Sequence, residues 1–118
     1  MRRELARVTT DTVQITTRQL KERLARGEPT YLVDVRQPWE HETAALPDQL
    51  LLPLDQLADR LDEVQPPPGA LVVAYCHHGI RSLNAAAFLE SKGLPGVASL
   101  AGGIDAWSLQ IDPNVPRY

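Results

Sequence analysis

Leu71-Val-Val-Ala-Tyr75, Cys76-His-His-Gly-Ile-Arg81-Ser82 and Leu83-Asn-Ala-Ala-Ala-Phe-Leu-Glu90 follow one another without interruption. The first stretch is an apolar run of strand length, and the last carries apolar residues at helical spacing. A strand therefore gives way to a helix across a short loop that opens with the chain's single cysteine. A helix N-terminus presents backbone N–H groups without intrahelical partners and the positive end of the helix dipole, and both favour a thiolate. The order strand, Cys loop, helix points to sulfur chemistry at Cys76.

Working outward, the same alternation recurs. Gln14-Ile15 suits a short strand, and Thr16 with Gln19 matches a capping box ahead of Leu20, Leu24 and Ala25, with Gly27 as the stop. Thr30-Tyr-Leu-Val-Asp34 has the β-branched and aromatic content of a buried strand, and a brief helix is expected over Trp39 to Ala45. Leu50-Leu-Leu52 reads as another strand; Pro53 suits the first turn of a helix with Leu54, Leu57, Ala58, Leu61 and Val64 on its apolar face, ended by Pro66-Pro-Pro-Gly69. The helix after the Cys loop is expected from about Ile80 to Lys92 with Gly93 as its cap. Val97 to Leu100 forms the last strand, and Gly102-Gly103 turns the chain into a short helix through Trp107. Strands that are apolar throughout, alternating with helices, predict an α/β fold: a small parallel sheet of about five strands with helices on both faces. Residues 1–118 read as one domain, with an extended C-terminal tail over 109–118.

Composition narrows the function classes. Twelve Lys and Arg against fifteen Asp and Glu give a net charge of -3, which argues against nucleic acid or an anionic membrane as a partner. The basic cluster Arg2, Arg3 and Arg7 reads as a solvated end. A lone cysteine cannot form an internal disulfide, and with no signal-peptide or membrane-spanning pattern the expected location is the cytoplasm.

Open parallel sheets bind their ligands beyond the carboxyl ends of the strands. Cys76 follows one such end and Asp34-Val-Arg36 lies at another, so Asp34 and Arg36 come within reach of the Cys loop if their strands are neighbours. Either they contact substrate or they form an internal ion pair that supports the turn, and Glu40 carries the same ambiguity. Gly79 lets the loop curl so that successive N–H groups converge into an anion nest, and Arg81 adds a fixed charge suited to an oxyanion.

Together, Ile15-Thr-Thr-Arg-Gln-Leu20, Leu32-Val-Asp-Val-Arg36, Pro38-Trp-Glu40, Tyr75-Cys-His-His-Gly-Ile-Arg-Ser82 and Leu100-Ala-Gly-Gly-Ile-Asp-Ala-Trp107 resemble the single-domain rhodanese-like sulfurtransferases. The tail Ile111-Asp-Pro-Asn-Val-Pro-Arg-Tyr118 is similar to that of rhodanese domains found alone or fused behind adenylyltransferases that activate sulfur-carrier proteins. The chain departs from the family at His41-Glu-Thr-Ala-Ala-Leu-Pro-Asp-Gln-Leu50, where many members carry a Gly-His-Ile and Gly-Ala run. The resemblance implies that Cys76 is both nucleophile and persulfide carrier. It further implies that the amides of His77, His78, Gly79, Ile80 and Arg81, with Ser82 at the loop's end, hold the substrate, and that Arg81 binds donor oxyanions. The implied substrates are a small anionic sulfur donor and, as acceptor, a thiol, cyanide or a sulfur-carrier protein; no metal or organic cofactor is implied.

Other readings compete. A lone cysteine is commonly a small buried hydrophobe, but its loop sets Cys76 apart. His77 and His78 match no common zinc spacing and are expected as partly exposed imidazoles that add positive charge when protonated. Trp39 and Trp107 read as packing groups. A Cys-dependent phosphatase or arsenate reductase would use a related loop, but the phosphatase loop is one residue longer than the four residues between Cys76 and Arg81. A non-catalytic interaction module on the same fold is the remaining alternative.

Overall fold

The computed structural model describes residues 12–118, and the arginines at 2, 3 and 7 lie outside that range. Five strands, β1 (Gln14–Ile15), β2 (Thr30–Asp34), β3 (Gln49–Leu51), β4 (Leu71–Tyr75) and β5 (Val97–Leu100), form one sheet in the order β1-β5-β4-β2-β3. Every pairing is parallel, as expected for strands separated by helices. The helices are α1 (Thr17–Ala25), α2 (Pro38–Thr43), α3 (Ile80–Ser91) and α4 (Gly103–Gln110). The sheet is thus the α/β arrangement predicted, and none of the described helices is long and apolar enough to cross a membrane.

The apolar run of β4 is explained by burial on both faces. Val72, Ala74 and Cys76 join a cluster with Val33, Leu57, Phe88 and Leu89, whereas Val73 and Tyr75 turn to the opposite cluster of Leu20, Leu100, Ile104 and Trp107. Cys76 therefore projects to the face that α3 covers. The register sets Asp34 opposite Tyr75, so the carboxyl ends of β2 and β4 lie side by side.

Helix α1 starts at the capping box read from the sequence: Gln19 N–H donates to the Thr16 hydroxyl at 3.1 Å, and Thr16 N–H to the Gln19 side chain at 2.9 Å. Such a cap stabilises a helix by about 1 kcal/mol. Thr17 and Leu20 anchor its first turn, and the last turn stands off the core, which leaves Leu24 exposed rather than buried.

Two expectations are corrected. The helix predicted after Pro53 is instead two 3-10 turns, Leu54–Gln56 and Leu61–Glu63. Asp55, Asp59 and Asp62 are weak helix formers, and Arg60 leaves helical space at φ -118°, ψ 25° while its side chain bonds Gln56 and Glu63. The apolar face survives the change: Leu57 is buried, and Leu54, Leu61 and Val64 pack against the same cluster. The segment read as an extended tail over 109–118 is also different, since α4 runs through Gln110 and the chain then turns back. The Asp112 side chain accepts from Asn114 N–H at 3.0 Å, Val115 N–H donates to Asp112 O at 3.1 Å, and Ser108 Oγ donates to Val115 O at 2.6 Å. Val115 and Tyr118 consequently pack on the cluster beneath.

Candidate active site

Cys76 leaves the end of β4, and α3 begins four residues later with Gly79 as its N-cap in the left-handed region, φ 101°. A Cβ on Gly79 would stand 3.0 Å from Gly102 N and 3.3 Å from Leu100 O, so both conformation and space call for glycine. The sulfur accepts from Gly79 N–H at 3.1 Å and Ser82 N–H at 3.4 Å. Its thiol also faces Ser82 Oγ at 3.5 Å, which is 2.7 Å from Ser99 Oγ on β5. Cys76 is only 1% exposed. Of the cradle expected from residues 77–82, Gly79 and Ser82 supply the hydrogen bonds to the sulfur. Ile80 stands at the rim, 69% exposed.

The His77 ring lies between two others, 3.9 Å from His78 and 4.0 Å from Tyr118, nearly parallel to both. Burial lowers its pKa and the neighbouring His78 adds to this, so protonation of the His77 ring is disfavoured. His78 is more exposed, with Nε2 3.8 Å from Asp105. His77, His78 and Asp105 bring possible metal-ligating atoms within 4.8 Å of one another. Stacked imidazoles direct their in-plane lone pairs alongside each other rather than to one point, and Arg117 already holds Asp105 at 2.9 and 3.3 Å.

Arg81 is not a free anion receptor. Its guanidinium donates to both oxygens of Glu40, at 2.7 and 2.9 Å. Glu40 is 3% exposed and also accepts from Gln37 N–H at 3.0 Å and Tyr118 OH at 2.8 Å. Burial alone would raise its pKa; the bonds from Arg81, Gln37 and Tyr118 outweigh this and hold the carboxyl at about 2. Arg81 also lines a cavity of about 690 Å³ walled by Val35, Leu54, Leu57 and Phe88.

Asp34 and Arg36 resolve to the internal ion pair. Both side chains are fully buried, and Arg36 donates to the two Asp34 oxygens at 2.8 and 2.7 Å. Arg36 further donates to Ala44 O at 2.6 Å and to Tyr118 OH at 2.9 Å, while Asp34 accepts from Tyr75 OH at 3.2 Å. Their link to the Cys loop is indirect, through Tyr118 and Glu40 to Arg81. Trp107 is a packing residue, but Trp39 is 61% exposed and stands edge-on to Tyr118, so it is not the packing group expected. Tyr118, Ser99 and the Glu40–Arg81 pair escaped the sequence reading because each contact joins residues far apart in the chain.

Comparison with known proteins agrees with this geometry. Residues 16–110 match the model of the rhodanese-like domain. A sulfurtransferase of Allochromatium vinosum is 40% identical over 95 residues, covering 80% of this chain and 87% of that protein. The adenylyltransferase and sulfurtransferase MOCS3 of Arabidopsis thaliana is 30% identical over 89% of this chain, which spans about a quarter of that protein, 26%. A rhodanese-like domain protein from Staphylococcus aureus superposes with a TM-score of 0.76 at 28% identity, over 91% of this chain and 99% of that one. On the domain match and the likeness to the Allochromatium vinosum sulfurtransferase, the chain belongs to the rhodanese-like sulfurtransferase family.

Proposed function

We propose that the protein moves sulfane sulfur from a small donor to a thiophilic acceptor through a persulfide on Cys76. The observation that carries this reading is one thiol seated at the N-terminus of α3, with Gly79 and Ser82 N–H groups aimed at its sulfur. Those N–H groups stabilise negative charge on sulfur before attack and again when Cys76 departs as the leaving group. With thiosulfate, the Cys76 thiolate attacks the outer sulfur, the S–S bond breaks, and sulfite leaves with the electron pair. An acceptor thiolate or cyanide then attacks the outer sulfur of the persulfide and returns Cys76 to the thiolate. Both displacements run without a metal or organic cofactor.

The donor is thiosulfate or a persulfide. The likeness to MOCS3, named as adenylyltransferase and sulfurtransferase, supports a sulfur-carrier protein among the acceptors. A single free cysteine suits work in a reducing compartment such as the cytoplasm. The four-residue span between Cys76 and Arg81 favours a sulfur atom over a phosphoryl group in the loop.

Intact-protein mass spectrometry after incubation with thiosulfate, followed by cyanide, tests the reading. Wild type gains the mass of one sulfur atom and releases it as thiocyanate, whereas Cys76→Ser gains nothing. If neither thiosulfate nor an organic persulfide loads the folded wild-type protein, the reading fails and an interaction module takes its place.

A further inference from the structure

Each guanidinium around the Cys loop is matched by a carboxylate: Arg81 by Glu40, Arg36 by Asp34 and Arg117 by Asp105. A loop arginine left free would draw the most highly charged oxyanion most strongly. Here the Arg81 charge is already met at 2.7 Å by a carboxylate that stays ionised.

We propose that Glu40 is a specificity-determining residue that sets the donor charge this site accepts, favouring monoanionic organic sulfane donors over the thiosulfate dianion. The inference rests on the sulfur-transfer reading. An incoming oxyanion must share Arg81 with the Glu40 carboxylate, and each negative charge it carries is repelled by that carboxylate in a partly buried setting. A donor in which carbon replaces one charged oxygen meets less repulsion, and the cavity beside Arg81, walled by Leu54, Leu57 and Phe88, offers that carbon a place. Tyr118 keeps Glu40 in position by donating to it at 2.8 Å while accepting from Arg36 at 2.9 Å.

Thiosulfate and methanethiosulfonate test this, because each delivers one sulfane sulfur to the Cys76 thiolate and releases sulfite or methanesulfinate with the bonding electron pair, differing by one charge. In Glu40→Gln, the ratio of kcat/KM for thiosulfate to that for methanethiosulfonate should rise by about tenfold over wild type, mainly through KM. An unchanged ratio in folded Glu40→Gln overturns the proposal. A second measurement needs neither the variant nor turnover: amide shifts of Gly79 and Ser82 in the wild-type protein, titrated at constant ionic strength with sulfate and with methanesulfonate. Methanesulfonate should bind at least as tightly as sulfate, and sulfate binding tighter by more than about threefold overturns the proposal. Failure of every donor to load Cys76 strikes the sulfur-transfer reading, whereas loading with an unaltered charge preference strikes only the role of Glu40.

Discussion

Ile104 N–H donates to the Cys76 carbonyl at 2.9 Å, and Asp105 N–H to the His77 carbonyl at 3.1 Å, so the first turn of α4 holds the backbone that carries the thiol. Gly103 makes this approach possible. At φ +64° a Cβ there would lie 2.5 Å from Cys76 O and closer still to His77 O. Both atoms are backbone and cannot step aside as a flexible side chain would. Gly103→Ala should push the loop away from α4 and turn the Gly79 and Ser82 N–H groups off the sulfur. The expected loss is about tenfold or more in kcat/KM, with about 2 kcal/mol of stability, read from donor kinetics and urea unfolding. Wild-type kinetics in Gly103→Ala would mean that α4 does not hold the loop.

Ser82 contributes to the site twice, by its backbone N–H at 3.4 Å from the sulfur and by its hydroxyl between Cys76 and Ser99. Ser82→Ala keeps the first and removes the second. It also deprives the buried Ser99 hydroxyl of its 2.7 Å partner. Alkylation of Cys76 by iodoacetamide at fixed pH should slow by about three- to tenfold, and stability should fall by about 1–3 kcal/mol. A stability loss with unchanged alkylation would confine the hydroxyl to packing.

How far the sequence discloses this arrangement depends on the distance between partners. Thr16 and Gln19, or Tyr75, Cys76 and Gly79, are close enough in the chain for caps, strand ends and tight turns to be recognised from residue type alone. The neighbouring of Asp34 and Cys76 follows from the parallel pairing of β2 with β4, which the apolar strands imply without fixing strand order. The Glu40–Arg81 pair spans 41 residues and the Tyr118–Glu40 bond spans 78, and no local periodicity encodes either. The residues after Pro53 fail for another reason: their apolar spacing is helical, but the interleaved aspartates make the α-helix a poor competitor against two short turns that still set Leu54, Leu57 and Leu61 against the core.

Asp34 and Arg36 are fully buried, and breaking such a pair from one side leaves a charge with no solvent to turn to. Asp34→Asn should cost about 3–5 kcal/mol in urea unfolding. The double change Asp34→Asn with Arg36→Met removes both charges and should recover part of that loss. Recovery is limited because Ala44 O and Tyr118 OH also lose their donor. A single Asp34→Asn loss below about 1 kcal/mol would place the pair among ordinary surface bridges.

The Glu40 carboxyl links the site to acid stability. Burial opposes its ionisation, yet Arg81, Gln37 N–H and Tyr118 hold it at about 2, below the ordinary 4.5. As pH falls, the unfolded chain takes up this proton before the folded one does. The stabilisation is therefore complete above about pH 4.5 and drains away as pH approaches 2. A shift of this size corresponds to about 3 kcal/mol at neutral pH. Urea midpoints of wild type should fall across that window, and those of Glu40→Gln should start lower and fall less steeply. Asp105, whose pKa Arg117 lowers, leaves a residual slope in the variant. Parallel profiles for the two proteins would show that the Glu40 charge contributes nothing to folding and that Arg81 is not held by it in solution.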